Sequence, residues 1–469
     1  MQDLSALASR IEADGVRTID LRFTDLAGNW QHLSYGARAS DLDRLARGVF
    51  FDGSSVPGWQ EVTSSDLALI PDPQSAFLDP FAAQPTLVIL ADVAEPDSGE
   101  GYPCDPRSVA KRAEAAVTRS SGAERVVAGP EMDFFLFDDV RFETGRFGSM
   151  VKLSSEEASE HTALAYQGGN PGHRPGVHTG RRPLPPIERF ADLRAEIAGT
   201  MEDLGAERLR HAHGELPGQN RVDFAPCGLT LCADRMQIFK YVVHNTAAAY
   251  QKSATFMAQP LGEGPGQSLH VHQALWKAGK PLFAGTDYAD VSQICLHYIA
   301  GILHHAHALN AFLNPTVNSY RRLQPGMHTP IVLAYSAHNR SAALRVPYSR
   351  KPDDKRIEVR FADPTANPYL ALSAIVMAGL DGVARKLDPG DPMDMNLYDL
   401  PPEALRDLDT VCASLEQACT ALEEDHEFLM RDDVFPRVLI DAYIEQKRQD
   451  VAVIAKQPTA GEFALYYSR

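Results

Sequence analysis

Three short stretches restrict the fold more than anything else in the chain: GPEMDFFLF at 129–137, SLHVHQAL at 268–275 and RIEVRF at 356–361. An extended strand sends alternate side chains to opposite faces. Glu131 and Asp133 therefore share a face, as do His270 and His272, and as do Arg356, Glu358 and Arg360. Large apolar residues fill the opposite face each time. One such strand reads as a half-exposed edge with a solvated side. Three, each with different polar chemistry, predict a single curved sheet with a working polar face.

The rest of the chain bounds what that sheet can belong to. With 469 residues, it predicts two domains or one large domain with an appendage. The hydrophobic share of 44% and charged share of 23% are those of a globular protein. A net charge of −17 argues against a nucleic-acid surface while leaving room for local basic pockets. No apolar run has the length of a membrane span. The opening MQDLSALASRIEADG lacks the apolar centre of a signal peptide. The six cysteines form no CxxC pair, so a disulfide framework and structural zinc are both disfavoured and a reducing cytoplasm is expected.

Residues 1 to about 103 read as a small α/β unit. A helix over Leu4–Ala13 precedes a hairpin, VRTIDLRFTDLAGNWQHLSY, whose DLAGN turn places Gly28 and Asn29 at positive φ. LALIPD and PTLVILADV are two further strands, and EPDSGEGYPCDPRS reads as a linker. The larger unit, 104–469, begins with a helix that Asp105 caps and Pro106 enters. Helices are predicted over Asp192–Leu204, Asp234–Phe256 and Val291–Leu313. His304, His305 and His307 on the last read as a solvated helix face, since no acid lies one turn away. The Gly- and Pro-rich stretch YQGGNPGHRPGVHTGRRPLPP is either a functional loop or disorder.

Glu131, His270 and Glu358 make a mixed nitrogen and oxygen set suited to Mg²⁺ or Mn²⁺. Arg321, Arg322, Arg340 and Arg345 add guanidiniums, which grip carboxylate and phosphate as two-pronged forks. A cation and arginines together suit phosphoryl transfer. No GxxxxGK[ST] is present, so a P-loop is excluded.

Over nearly its whole length the chain resembles bacterial type I glutamine synthetases. FFDGSSVPGW, GPEMDFFLF, GGNPGHRPGV, PGQNRVDF, NPTVNSYRRLQPG, LAYSAHNRSAALRVP, KRIEVRFADPTANPYL, NLYDLPPE and the tail FALYYSR carry the resemblance in order and spacing. It implies an α+β architecture: an N-terminal β-grasp domain (1–103), then a guanido-kinase-like catalytic domain (104–469) with a curved antiparallel sheet flanked by helices. It further implies a homo-oligomer, a dodecamer of two hexameric rings, that binds ATP, a glutamate-like acid and an amine, with neither nucleic acid nor membrane as partner. ATP would phosphorylate the side-chain carboxylate of the acid and the amine would displace the phosphate. By resemblance, Glu131, His270 and Glu358 hold Mg²⁺ or Mn²⁺, and His272, Arg345 and Arg356 serve the nucleotide and its phosphates. Arg340 steadies the phosphoryl group, while Arg322, Arg360 and Gly266 hold the acid. Asp52 reaches a neighbouring copy's site to take a proton, with Ser55 in the same loop. Tyr398 matches a tyrosine that some members adenylylate; a loop tyrosine without regulatory use is the alternative.

The departures cluster. The family's second metal site uses three glutamates, which fall here at Asp133, Gly214 (flanked by His213 and Glu215) and Arg221. That metal is expected to be lost, with the Arg221 guanidinium in its space, or moved to a set involving Asp133, His211 or His213. His328 stands where the family's flap carries a glutamate over the ammonium pocket, Pro265 precedes Gly266, and Leu209 replaces an acid near the nucleotide. Three readings remain: a ligase with a non-standard amine, a catalytically impaired or regulatory paralogue, and a metalloenzyme in which His211, His213, His270 and His328 converge.

Overall fold

A computed structural model of the chain describes residues 5–37, 45–165, 169–170, 172–175, 182–457 and 459. The expected tail FALYYSR, the first residue of the Leu4–Ala13 helix, and part of the Gly- and Pro-rich stretch lie outside these.

The N-terminal unit is a mixed sheet built around the strand Thr86–Ala94. That strand pairs in parallel with Thr18–Thr24 and antiparallel with Asp66–Pro71. Residues Leu87 to Leu90 are essentially inaccessible, which is why this strand is continuously apolar rather than alternating. The hairpin Thr18–Thr24/Trp30–Gly36 forms as expected. Gly28 alone supplies the positive φ of its turn (93°), and the Asn29 amide is held by Asp25 Oδ1 at 2.9 Å instead. A side chain at Gly28 would press on Asn367, 3.0 Å from the position of its Cβ. The stretch read as a linker is docked: Tyr102 and Cys104 are buried, and Arg107 just beyond them binds Asp72, Asp92 and Asp234.

The second unit contains the ten-stranded sheet. Its main path runs Arg210–His213, Gln219–Asp223, Arg125–Phe137, Leu269–Lys277, Ile357–Val359, Leu344–Val346, Tyr335–Ala337. The pairs are antiparallel except the last, which is parallel. The three polar-faced strands are consecutive neighbours. Their apolar faces, with Met132, Phe134, Leu269, Val271 and Val359 among them, join the main core against helices.

The central helix is Pro368–Arg385, with 14 of its 18 residues buried, so it is apolar all round. Asn367 caps it by accepting from the Tyr369 and Leu370 amides, and Pro368 occupies its first turn. Two helix boundaries differ from expectation. The helix expected over Asp234–Phe256 runs Leu229–Ala249, and Ser253–Thr255 leaves it to pair with the end of the Arg125–Phe137 strand. The helix expected over Val291–Leu313 breaks at His305 into Gln293–His304 and Ala306–Leu313.

His305 is not on a solvated face. It is buried, its Nδ1 is 2.7 Å from Asp425 and its Nε2 3.0 Å from Asp381, and its ring stacks on Phe428 at 3.8 Å. Those acids come from distant parts of the sequence, so no local spacing reveals them. All six cysteines are free.

Candidate active site

The antiparallel register assembles the polar face. His270 stands opposite Glu131, His272 opposite Glu358, Arg345 opposite Glu358, and Arg221 opposite Asp133. Glu131 Oε1 lies 3.0 Å from His272 Nε2, and its Oε2 lies 3.2 Å from His270 Nδ1. The same His270 nitrogen is 3.5 Å from Glu358 Oε1. Ligand atoms of Glu131, His272 and Glu358 lie within 4.8 Å of one another. Glu358 is 1% exposed, which rules out a solvated face for the RIEVRF strand.

Electrostatics keep these groups in ligand-competent states. Burial, aided by Arg360, lowers the His270 pKa to about 4, so the ring is neutral. Burial raises Glu358, but the Arg360 guanidinium leads the charges that outweigh it and bring it down to about 2. Burial likewise opposes ionisation of Glu131, yet hydrogen bonds from His270 and His272 hold it well below the usual carboxylate range. Two ionised carboxylates and the neutral His270 ring fit one hard or borderline divalent ion.

The second set does not fit one. Arg221 lies between its partners: Nε is 2.6 Å from Asp133 Oδ1, Nη2 is 3.0 Å from Asp133 Oδ2, and Nη1 is 3.2 Å from Glu131 Oε2. Ser268, which the sequence reading missed, completes the cage. Its Oγ lies 2.6 Å from Asp133 Oδ2 and 2.9 Å from Arg221 Nη2. Burial works against the charge on Arg221, but Asp133 holds its pKa above the ordinary guanidinium value.

Gly214 offers no ligand and has no room for one, since a Cβ there would meet the Gln219 side chain at 2.6 Å. His213 has both nitrogens engaged, Nε2 with Glu157 at 3.0 Å and Nδ1 with the Gly214 carbonyl at 2.9 Å. His211, His213 and His328 belong to no cluster of metal-ligating side chains among the described residues, so the expected convergence of four histidines is not found.

The arginines ring the same cleft, which has a volume of about 400 Å³. Arg345 Nη1 reaches Glu358 Oε2 at 2.8 Å, and Arg360 bonds Glu358 Oε1 and the Arg340 carbonyl. Arg322 is 2% exposed and donates to the Phe361 carbonyl at 3.0 Å. Arg340 is 3.9 Å from Glu215. Arg356 leans on His272 Nδ1 at 3.3 Å, outside the cleft lining. Gly266 lines the cleft where a Cβ would strike Gln259 and the Ala258 carbonyl. His328, exposed at φ 52°, faces the Tyr398 ring at 5.7 Å, and the Tyr398 hydroxyl donates to the Arg340 carbonyl at 2.9 Å.

Asp52 and Ser55 are elsewhere. Asp52 is exposed at the start of a short turn on the small sheet, accepting from the Ser54 amide at 2.9 Å, and neither residue lines the cleft. Sequence reasoning also missed Arg210, whose guanidinium is 2.5 Å from Asp223 and 3.8 Å from Glu131. Asp223 lies two positions after Arg221, so the period-2 rule could have flagged it.

Comparison with known proteins matches the chain over nearly its whole length. The family description "Glutamine synthetase, catalytic domain" matches residues 103–466, and "Glutamine synthetase, beta-Grasp domain" matches residues 15–96. The chain is 47% identical over 468 residues to glutamine synthetase of Bradyrhizobium diazoefficiens, covering 100% of both chains. It is 46% identical over 469 residues to 3-hydroxylaminophenol mutase of Cupriavidus pinatubonensis, covering 100% of this chain and 99% of that one. Plasmodium falciparum glutamine synthetase superposes with a TM-score of 0.90 at 26% identity, covering 100% of this chain and 99% of that one.

Proposed function

Because the chain belongs to the glutamine synthetase family, whose members are C–N ligases, we propose that it joins a glutamate-like acid to an amine other than ammonia at the expense of ATP. The observation that carries this is a cleft in which Glu131, Glu358 and His270 meet Arg345 and Arg360, with His272 bonded to Glu131 beside it.

In the first step an oxygen of the acid's side-chain carboxylate bonds to the terminal phosphorus of ATP, and the bond from that phosphorus to ADP breaks. Arg340 and Arg345 hold the phosphoryl oxygens, and His272 and Arg356 lie along the nucleotide. Arg322, Arg360 and Gly266 position the acid. In the second step the amine nitrogen bonds to the acyl carbon, the carbon–oxygen bond to phosphate breaks with its electron pair, and a carboxylate takes the nitrogen's proton. One Mg²⁺ or Mn²⁺, held by Glu131, Glu358 and an imidazole of the His270–His272 pair, would offset phosphate charge. Arg221 supplies fixed positive charge where the second ion would sit.

The proton acceptor is Asp52 of a neighbouring copy. Its absence from its own chain's cleft lining supports a site shared between copies, and the dodecamer of two hexameric rings is the assembly that the family resemblance implies. The six cysteines, which form no CxxC pair, support a cytoplasmic setting.

The test is ADP release from ATP that depends on both glutamate and an amine. No glutamate-dependent release with any amine would overturn the reading. A second reading is favoured by the full-length similarity to a protein named as a mutase: rearrangement of a hydroxylamino-arene, which would proceed with no net use of ATP. Stoichiometric ADP excludes it. An impaired or regulatory paralogue would bind nucleotide without either turnover.

A further inference from the structure

The corner of the cleft beneath the 327–330 loop is short of negative charge. His328 and Tyr398 face each other there at 5.7 Å, and the Arg340 guanidinium sits 6.0 Å from the Tyr398 ring. Every carboxylate lining the cleft among the described residues is held by an arginine: Glu131 and Asp133 by Arg221, Glu215 by Arg340, and Glu358 by Arg345. A protonated amine entering this corner meets Arg340 and finds the carboxylates of the chain's own cleft lining already paired, with only the neighbouring copy's Asp52 left to it. Like charges a few ångströms apart repel. A flat, uncharged molecule meets a tilted pair of aromatic rings instead, against which its own ring can pack.

We propose that the amine is an arylamine, selected because its nitrogen is uncharged at neutral pH and its ring packs against His328 and Tyr398. The proposal rests on the ligase reading above and names the substrate class of that same site. Delocalisation of the lone pair into the ring keeps an arylamine unprotonated. An alkylamine, like a lysine side chain, stays protonated up to about pH 10. The arylamine nitrogen attacks the acyl carbon as the free base. The C–N bond forms, phosphate leaves with the electron pair of the C–O bond, and the one proton shed in reaching the neutral anilide passes to Asp52. No carboxylate is needed to capture an ammonium or strip it before attack.

The experiment uses the purified full chain with ATP, glutamate and, in parallel, aniline, methylamine, ammonium and hydroxylamine. Hydroxylamine is small and uncharged at neutral pH, so it traps an acyl phosphate as the hydroxamate whatever the amine preference. The expected result is hydroxamate formation together with a kcat/KM for aniline at least about tenfold above those for ammonium and methylamine. Between pH 7 and 9 the aniline value should stay flat, whereas the methylamine value should climb about tenfold per pH unit as its free base appears. His328→Glu should move the aniline-to-ammonium ratio at least about tenfold toward ammonium, a ratio taken within one protein, which a loss of activity common to both amines does not move. Hydroxamate formation with ammonium preferred over aniline would overturn the arylamine proposal and leave the ligase reading standing, as would a ratio unmoved by His328→Glu. Absence of hydroxamate would take down both.

Discussion

The Arg221 guanidinium grips both oxygens of Asp133, at 2.6 and 3.0 Å, and turns its remaining arm to Glu131 at 3.2 Å. A carboxylate so occupied is not available to a divalent ion. Mn²⁺ titration followed by electron paramagnetic resonance should therefore give one ion per chain. Arg221→Glu should give two, by restoring a third acid beside Asp133 and Glu131. Arg221→Gln should still give one, and should lower stability by about 3–5 kcal/mol because Asp133 is left buried and unpaired. Two ions in the natural protein would refute the substitution of side chain for metal.

Arg107 ties the two units together. It reaches Asp72 and Asp92 of the small sheet at 2.7 and 2.8 Å, and Asp234 of the second unit at 2.9 Å, with its side chain 5% exposed. Arg107→Met removes the charge common to all three acids, leaving Lys111 beside Asp72 and Asp92, and should destabilise by about 3–5 kcal/mol in urea denaturation. Arg107→Lys should recover only part, since an ammonium cannot span three carboxylates as a planar fork does.

Asp105 gives a pH signature away from the cleft. Burial, with the neighbouring Asp92 charge adding to it, raises its pKa from 3.8 to about 6. The folded protein thus keeps a proton there between about pH 4 and 6 that the unfolded chain releases. Rising pH through that window therefore removes stability at this site. Asp105→Asn retains a capping side chain and does not ionise. Its melting temperature relative to the natural protein should climb from pH 4 to 6 and level off above. A flat difference would show that Asp105 ionises normally.

Gly301 and Gly382 pack helix on helix without side chains. A Cβ on Gly301 would collide with the Ala378 carbonyl, and one on Gly382 with the His297 carbonyl. Because the obstacles are backbone, neighbouring side chains cannot swing aside. Gly301→Ala should lower stability by about 1–3 kcal/mol, read as a shift in the calorimetric melting temperature.

The legible parts of the site were those written in local periodicity. Glu131, His270, His272 and Glu358 were visible because a period-2 strand declares which side chains share a face, and the structure makes their strands neighbours. The shortened acid at Asp133 and the loss of acids at Gly214 and Arg221 were visible through resemblance. Ser268 and Arg210 were not, because a lone serine or an arginine in a polar run carries no pattern of its own. They matter through Asp133 and Asp223, which adjoin them only after pairing. His305 was misread for the same reason, its acids lying 76 and 120 positions away.

By itself, then, the sequence determined the polar face of three strands, the buried run Leu87 to Leu90, the cap at Asp105 and Pro106, and the positive φ at Gly28. Each follows from sterics or burial acting within a few residues. Only the tertiary structure decided that Arg221 stands opposite Asp133, that His305 is a buried ion-pair residue, and that Asp52 lies outside its own chain's cleft lining. Those outcomes depend on which distant segments are brought within Coulomb and hydrogen-bond range. That choice is made by packing apolar faces against one another, and it leaves no mark on the spacing of charged residues along the chain.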